Sequence, residues 1–120
     1  MNNHKPSRGE VWFVNLDPVV GHEQAKTRPC LVISDDIFNH GPANLHIIVP
    51  LTSKSKNNLF RVPLEWLEGG SDIESFILCD QIRSVSRQRF KRNILGSVTQ
   101  KTLDQVQYAL GMLLRGKITI

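Results

Sequence analysis

"LHIIVPLT", residues 45–52, is the stretch that decides the fold. Its aliphatic run is strand-length, far short of the roughly 20 apolar residues that a membrane span needs. The turn cluster "NHGPAN" (39–44) and the polar "SKSKNN" (53–58) bound it, so it reads as a β-strand. Pro50 has no N–H to give to a ladder, and an edge or a bulge is expected there. Toward the N-terminus, "PCLVIS" (29–34) is a short continuous apolar run, the pattern of a strand buried on both faces. "RGEVWFVNLDP" (8–18) opens on a glycine turn, carries Val11, Trp12, Phe13 and Val14, and stops at Asp17-Pro18, a further strand. Toward the C-terminus, "LFRVPLEW" (59–66) sets Phe60, Val62 and Leu64 on one face and Arg61, Pro63 and Glu65 on the other, a half-buried strand. "EGGSD" turns the chain, and "SFILCDQIRSVS" (75–86) is one long strand or two with a bend near Asp80.

After "SVT" the period changes. Leu103, Val106, Leu110 and Leu113 recur at helical spacing, with Ala109 and Leu114 widening the stripe, so a helix is expected over 99–115. Thr99 is placed to cap its start and Gly116 to end it, and "KITI" beyond reads as a short extended tail. Together these segments predict a mainly β protein. Its five or six short strands make a strongly bent sheet or barrel, closed by one C-terminal helix.

At 120 residues the chain has the size of one domain, 1–120, with residues 1–7 expected to be a flexible N-terminus. An apolar fraction of 40% against 22% charged residues places it with ordinary soluble globular proteins. "MNNHKPSRGE" has no apolar signal centre, so a cytoplasmic address is expected, with no membrane partner. Cys30 and Cys79 sit among apolar neighbours and form no CxxC, which predicts two buried, reduced thiols. The net charge of +4 and pI near 9.4 favour an anionic partner. "RQRFKR" (87–92) gathers Arg87, Arg89, Lys91 and Arg92 around Phe90, and Lys54 and Lys56 add to the charge. Either segment alone is a solvated loop; both in so short a chain predict a surface that faces a polyanion.

"GHEQAKTRPCLVIS" (21–34) carries the chemistry. "HEQAK" begins like a zinc motif but has Lys26 where the second ligand belongs, and the four histidines show no ligand spacing, so no metal or cofactor is expected. There is no G-x-S-x-G nucleophile elbow, no phosphate-cradling glycine loop, and Cys30 lies in an apolar run. RNA cleavage by its own 2′-hydroxyl needs less. The protein deprotonates that hydroxyl, neutralises charge on the phosphate oxygens and protonates the departing 5′ oxygen. Arg28 suits the second task, because its planar fork is always charged; His22 and Glu23 suit the others. Arg28 precedes Pro29 and is therefore biased toward extended backbone. The competing reading of Arg28 is a surface ion pair with Glu23, and on residue content the two stand even.

The blocks "RGEVWFVNLDPVVGHEQAKTRPCLVIS", "IIVPLTS" and "CDQIRSV", in this order, resemble the MazF/PemK (Kid) family of toxin–antitoxin endoribonucleases over about residues 8–115. That resemblance implies a small SH3-like barrel of five to seven short strands with a C-terminal helix, acting as a homodimer. It implies metal-free, sequence-specific cleavage of single-stranded RNA that leaves a 2′,3′-cyclic phosphate and a 5′-hydroxyl, and an acidic antitoxin as partner. By position it implies Arg28 and Thr52 as catalytic, with Glu23, His22 and Asp80 as candidates for the proton-transfer roles, the general base being open among them. It places Gln24, Thr27, Lys54, Lys56, Gln81, Arg83, Arg87 and Arg89 toward RNA. Leu78 stands where the Kid-like branch has an arginine, so that branch's Arg–Asp pair does not carry over. The rivals are a gyrase-binding toxin of the same barrel, which lacks the E-Q…R-P loop, and an RNA-binding module, for which the few aromatics give little stacking surface.

Overall fold

The computed structural model describes residues 4–54, 59–64, 68–70 and 73–116, without the Arg92 side chain. Seven strands and two helices follow one another: β1 (Glu10–Asn15), β2 (Thr27–Val32), α1 (Asp36–Asn39), β3 (Leu45–Thr52), β4 (Arg61–Leu64), β5 (Ser75–Leu78), β6 (Arg83–Ser86), β7 (Phe90–Ser97) and α2 (Gln100–Arg115). The strands form one antiparallel sheet in the order β4-β5-β3-β2-β1-β7, with β6 also paired to β3. Among the described residues no ladder joins β4 to β7, so the sheet bends without closing.

β3 holds the sheet together because it changes partner along its length. Leu45 to Ile48 pair with β6, whereas Leu51 and Thr52 pair with β5. Pro50 falls in the gap between these ladders. Its missing N–H thus marks an interruption between two ladders on one side of a central strand, so of the expected edge or bulge it is not an edge. The break near Asp80 is a 3-10 turn at Cys79–Gln81 that separates β5 from β6. β7 is a correction to the sequence reading, which left "FKRNILGS" without a strand. Its cations hide an alternation in which Phe90 and Ile94 face Val14 and Trp12 of β1, and two register shifts blur the period further.

Strand alternation gives the sheet two apolar faces. Val11, Leu31, Val49, Leu51 and Ile77 pack with Leu103, Val106 and Ala109 of α2. Trp12, Val14, Cys30, Val32 and Ile48 pack on the other face with Leu16, Val85 and Phe90. Helix α2 starts at Thr99, whose Oγ1 accepts from the Thr102 N–H (3.2 Å), while the buried Glu68 carboxylate accepts from the Thr99 N–H (2.7 Å). Gly116, at φ 76°, ends it. No helix among the described residues is long and apolar enough to cross a membrane.

Candidate active site

The hairpin between β1 and β2 carries the loop of residues 16–26. Its neck is closed by the Leu16 N–H on the Lys26 carbonyl (2.9 Å) and by the Lys26 N–H on Asp17 Oδ1 (2.9 Å). Gly21 turns the chain at φ 60°. Glu23 then closes its own turn: its carboxylate accepts from the Val20 N–H at 2.6 Å, and its N–H donates to the Val20 carbonyl at 3.2 Å. The loop is braced from across the sheet by residues 81–89. The Gln24 N–H donates to Gln81 Oε1 (3.2 Å) and Gln81 Nε2 donates to the His22 carbonyl (3.4 Å). Arg83 Nη1 holds the Leu16 carbonyl (3.0 Å), and Arg89 Nη1 holds those of Asn15 (3.1 Å) and Asp17 (2.6 Å).

Arg28 lies half-buried in β2, opposite Val14. Its Nε donates to the Ala25 carbonyl at 2.9 Å. With its NH₂ toward the guanidinium the Gln24 amide would set donor against donor, so the orientation that satisfies both groups is the one with its carbonyl toward Arg28. Oε1 then lies 2.8, 3.0 and 3.2 Å from Arg28 Nε, Nη1 and Nη2. Among the described residues no carboxylate pairs with Arg28, so the Glu23 ion pair is not what holds it.

Two clefts flank this strand end. One, of about 310 Å³, is lined by His22, Glu23, Gln24, Asp80, Gln81 and Arg83, with Pro50 and Ile82 among its apolar members. The other, of about 300 Å³, is lined by Arg28, Thr52 and Ser53, with Phe13, Leu51 and Ile73 on its apolar side. The register of β2 on β3 runs Val32↔Ile48, Leu31↔Val49, Cys30↔Pro50. The ladder ends there, and beyond it Arg28 and Thr52 line the same cleft. Thr52 is only 7% exposed, and its Oγ1 accepts from the Lys54 N–H at 3.2 Å, which leaves the hydroxyl proton to donate elsewhere. The same face carries the Cys30 thiol, pushed up to about 12 by burial against the opposing pull of Arg83 and Arg28.

The structure thus gathers Arg28 with Thr52, and His22 and Glu23 with Asp80, in adjoining clefts. The side chains of His22 and Asp80 make no hydrogen bond among the described residues, whereas Glu23 is engaged in its turn. Thr27 and Lys54 are exposed on the same end of the sheet. Arg83 and Arg89 spend one nitrogen each on loop carbonyls. Arg87 lies elsewhere, over the rings of Trp12 (5.6 Å) and Phe90 (5.8 Å), and lines a third cavity of about 230 Å³ with His46. Lys56 lies outside the described residues. Leu78, buried at 1%, belongs to the core. Phe13 was not singled out from the sequence; at 39% exposure it is the uncovered member of an otherwise buried alternation, a property that pairing decides and residue type does not.

The chain is thus an open-edged, bent antiparallel sheet with a C-terminal helix, with an arginine and a threonine of two strands lining one cleft. Residues 7–114 match the model of the PemK-like, MazF-like toxins of type II toxin–antitoxin systems, and the chain belongs to that family. It is 33% identical to the endoribonuclease PemK of Escherichia coli over 110 residues, covering 89% of this chain and 80% of PemK. It is 34% identical to the endoribonuclease EndoA of Bacillus subtilis over 104 residues, covering 86% and 89%. Its fold is similar to the crystal structure of MazF from Deinococcus radiodurans, with a TM-score of 0.84, 30% identity, and coverage of 94% of this chain and 99% of that one. A MazE–MazF complex from the same organism aligns with a TM-score of 0.75 and 26% identity, over 93% and 97% of the two chains.

Proposed function

We propose that the chain is the RNA-cleaving toxin of a type II toxin–antitoxin pair, and that Arg28 and Thr52 stabilise the phosphorus centre during cleavage. The observation that carries this reading is their shared cleft, where both can donate toward one phosphate. The ribose 2′-oxygen loses its proton to a base and bonds to phosphorus; the bond to the 5′ oxygen breaks, and that oxygen takes a proton. The chain need only hold the charge that builds on the two non-bridging oxygens and exchange the protons. Arg28 and the Thr52 hydroxyl serve the first need. His22 and Asp80, unengaged in the adjoining cleft, serve the second better than Glu23, whose carboxylate is committed to the Val20 N–H. Single-stranded RNA is then the substrate, and an acidic antitoxin the partner; the antitoxin complex of the Deinococcus relative supports the latter. A homodimer acting in the cytoplasm completes the reading.

The test is cleavage of a mixed-sequence RNA by the purified chain in excess EDTA, with the termini mapped. Cyclic-phosphate and 5′-hydroxyl ends are expected. Intact RNA, 5′-phosphate ends, or a requirement for added metal overturns the proposal.

A further inference from the structure

Arg28 has one feature that an oxyanion-binding arginine does not itself explain. Its guanidinium is oriented by neutral carbonyl oxygens, with no carboxylate among the described residues taking part. The Gln24 oxygen sits at 2.8–3.2 Å from all three guanidinium nitrogens at once. No point in the plane of a guanidinium, outside its own carbon, is that nearly equidistant from all three, so the oxygen lies over the plane and not at its edge. The negative end of the amide dipole then faces the delocalised cation without consuming its in-plane donors. Among the described residues, the in-plane donor that is consumed is the Nε–H, held by the Ala25 carbonyl at 2.9 Å. The outer fork, Nη1 and Nη2, keeps its in-plane protons for a ligand in the Thr52 cleft.

Gln24 is in turn fixed from outside its loop. Gln81, on the turn between β5 and β6, accepts from the Gln24 N–H (3.2 Å) and donates to the His22 carbonyl (3.4 Å). It therefore grips the backbone on both sides of Glu23. The neck bonds, the Glu23 turn, Arg83 and Arg89 hold other parts of the loop, and Gln81 is the hold on the segment that carries Gln24.

We propose that Gln24 is a positioning residue for Arg28, fixing the guanidinium plane so that its outer fork faces the cleft, and that Gln81 is the clamp that keeps Gln24 there. This rests on the cleavage reading above. It departs from the expectation that both glutamines serve chiefly to contact RNA. A preorganised charge acts by being in place before the transition state forms, so its misplacement lowers the chemical step more than ground-state binding.

The experiment compares the full-length chain with Gln24→Leu, Gln24→Glu, Gln81→Leu and the double variant Gln24→Leu/Gln81→Leu. Three quantities are read: the single-turnover rate at saturating RNA, the affinity for an uncleavable analogue with a 2′-deoxy sugar at the mapped cut, and the thermal midpoint. Gln24→Leu is expected to slow the saturated rate about ten- to a hundredfold, with analogue affinity and thermal midpoint close to those of the unaltered chain. Gln24→Glu keeps an oxygen over the plane and should retain more of the rate than Gln24→Leu. Because both glutamines act through one guanidinium, the double variant should be no slower than the worse single one. A loss of affinity with the saturated rate preserved would return Gln24 to RNA contact, and additive losses would break the link to Gln81. An unaltered chain that leaves RNA intact overturns the cleavage reading; an active chain indifferent to Gln24→Leu overturns the positioning one.

Discussion

Arg28 of β2 and Thr52 of β3 line one cleft, and each has a chemical capacity left over. For Arg28 it is the outer fork; for Thr52 it is the hydroxyl proton, since its oxygen already accepts from the Lys54 N–H. Arg28→Lys keeps the charge but replaces a fixed fork with a mobile point charge, and is expected to lower the saturated cleavage rate by about 10²–10³-fold. Thr52→Val keeps the shape in a nearly closed site while deleting the donor, and should lower the same rate with little change in thermal midpoint. A rate assay on RNA with a parallel melting curve checks both; an unchanged rate in Thr52→Val would remove the hydroxyl from the chemistry. Cys30, two residues along, shows what this environment does to a group with no such role. Burial holds its thiol at about 12, so at pH 8 almost no thiolate exists. Iodoacetamide should label Cys30 only after denaturant is added, as mass spectrometry of the alkylated chain would show. These residue types were legible in the sequence. The engagement of Glu23 in its own turn, and the seat of Gln24 over Arg28, were not, because both depend on which way a loop folds back.

At the scale of elements, the span from Gln81 to Arg89 acts as a brace for the hairpin between β1 and β2. Four of its hydrogen bonds end on backbone carbonyls of residues 15–22, and one oxygen receives the Gln24 N–H. Sequence composition presented Arg89 as a cation for a polyanion and the family resemblance placed Arg83 toward RNA, and neither could separate that use from bracing. Strand β7 escaped for a related reason: its two cations, Lys91 and Arg92, and two register shifts disguise a ladder partner as a basic loop. β3 was legible over its full length, because its aliphatic residues lie between a turn cluster and a polar stretch that bound it on both sides. The far side of the sheet is pinned by glycines. A Cβ on Gly96 would stand 2.5 Å from the Gly70 nitrogen and 2.6 Å from the Gly69 carbonyl carbon. Backbone cannot yield as a side-chain tip does, so Gly96→Ala is expected to cost about 1–3 kcal/mol or more. A denaturant midpoint shifted by that amount, with an unchanged slope, would confirm a purely packing penalty. Gly21→Ala meets nothing within 4 Å and bears only the cost of its φ of 60°, so it should be the milder of the two.

For the whole molecule, the sheet's two apolar faces make two cores, and only one is roofed by the long helix. The other is covered by loops and by the N-terminal segment. There Glu10 holds His4 (2.7 Å) and the Ser7 N–H (2.8 Å), His4 stacks on Trp12 with ring centroids 6.0 Å apart, and Arg87 covers Trp12 and Phe90. His46 lies at the bottom of this layer, 1% exposed, with its ring edge-on to Phe90 at 5.0 Å. Burial first, and then the positive charges of Arg87, His40 and Lys5, hold its pKa below the ordinary 6.5; His4 lines the same cavity, and no carboxylate does. A folded-state pKa below the unfolded one means that the unfolded chain binds the proton more readily. The stabilisation is therefore complete above pH 6.5 and is lost as pH falls toward the folded value. Melting curves between pH 7.5 and 5 should show the chain losing stability in this window. His46→Leu, which removes the titrating ring but keeps an apolar filler, should lose less over the same interval whatever its starting midpoint. Parallel pH slopes in the two proteins would mean that acid sensitivity lies elsewhere. A flatter slope in His46→Leu would show that the loop-covered core, rather than the helix-covered one, yields first to acid, because it alone buries an ionisable ring under a lid of cations.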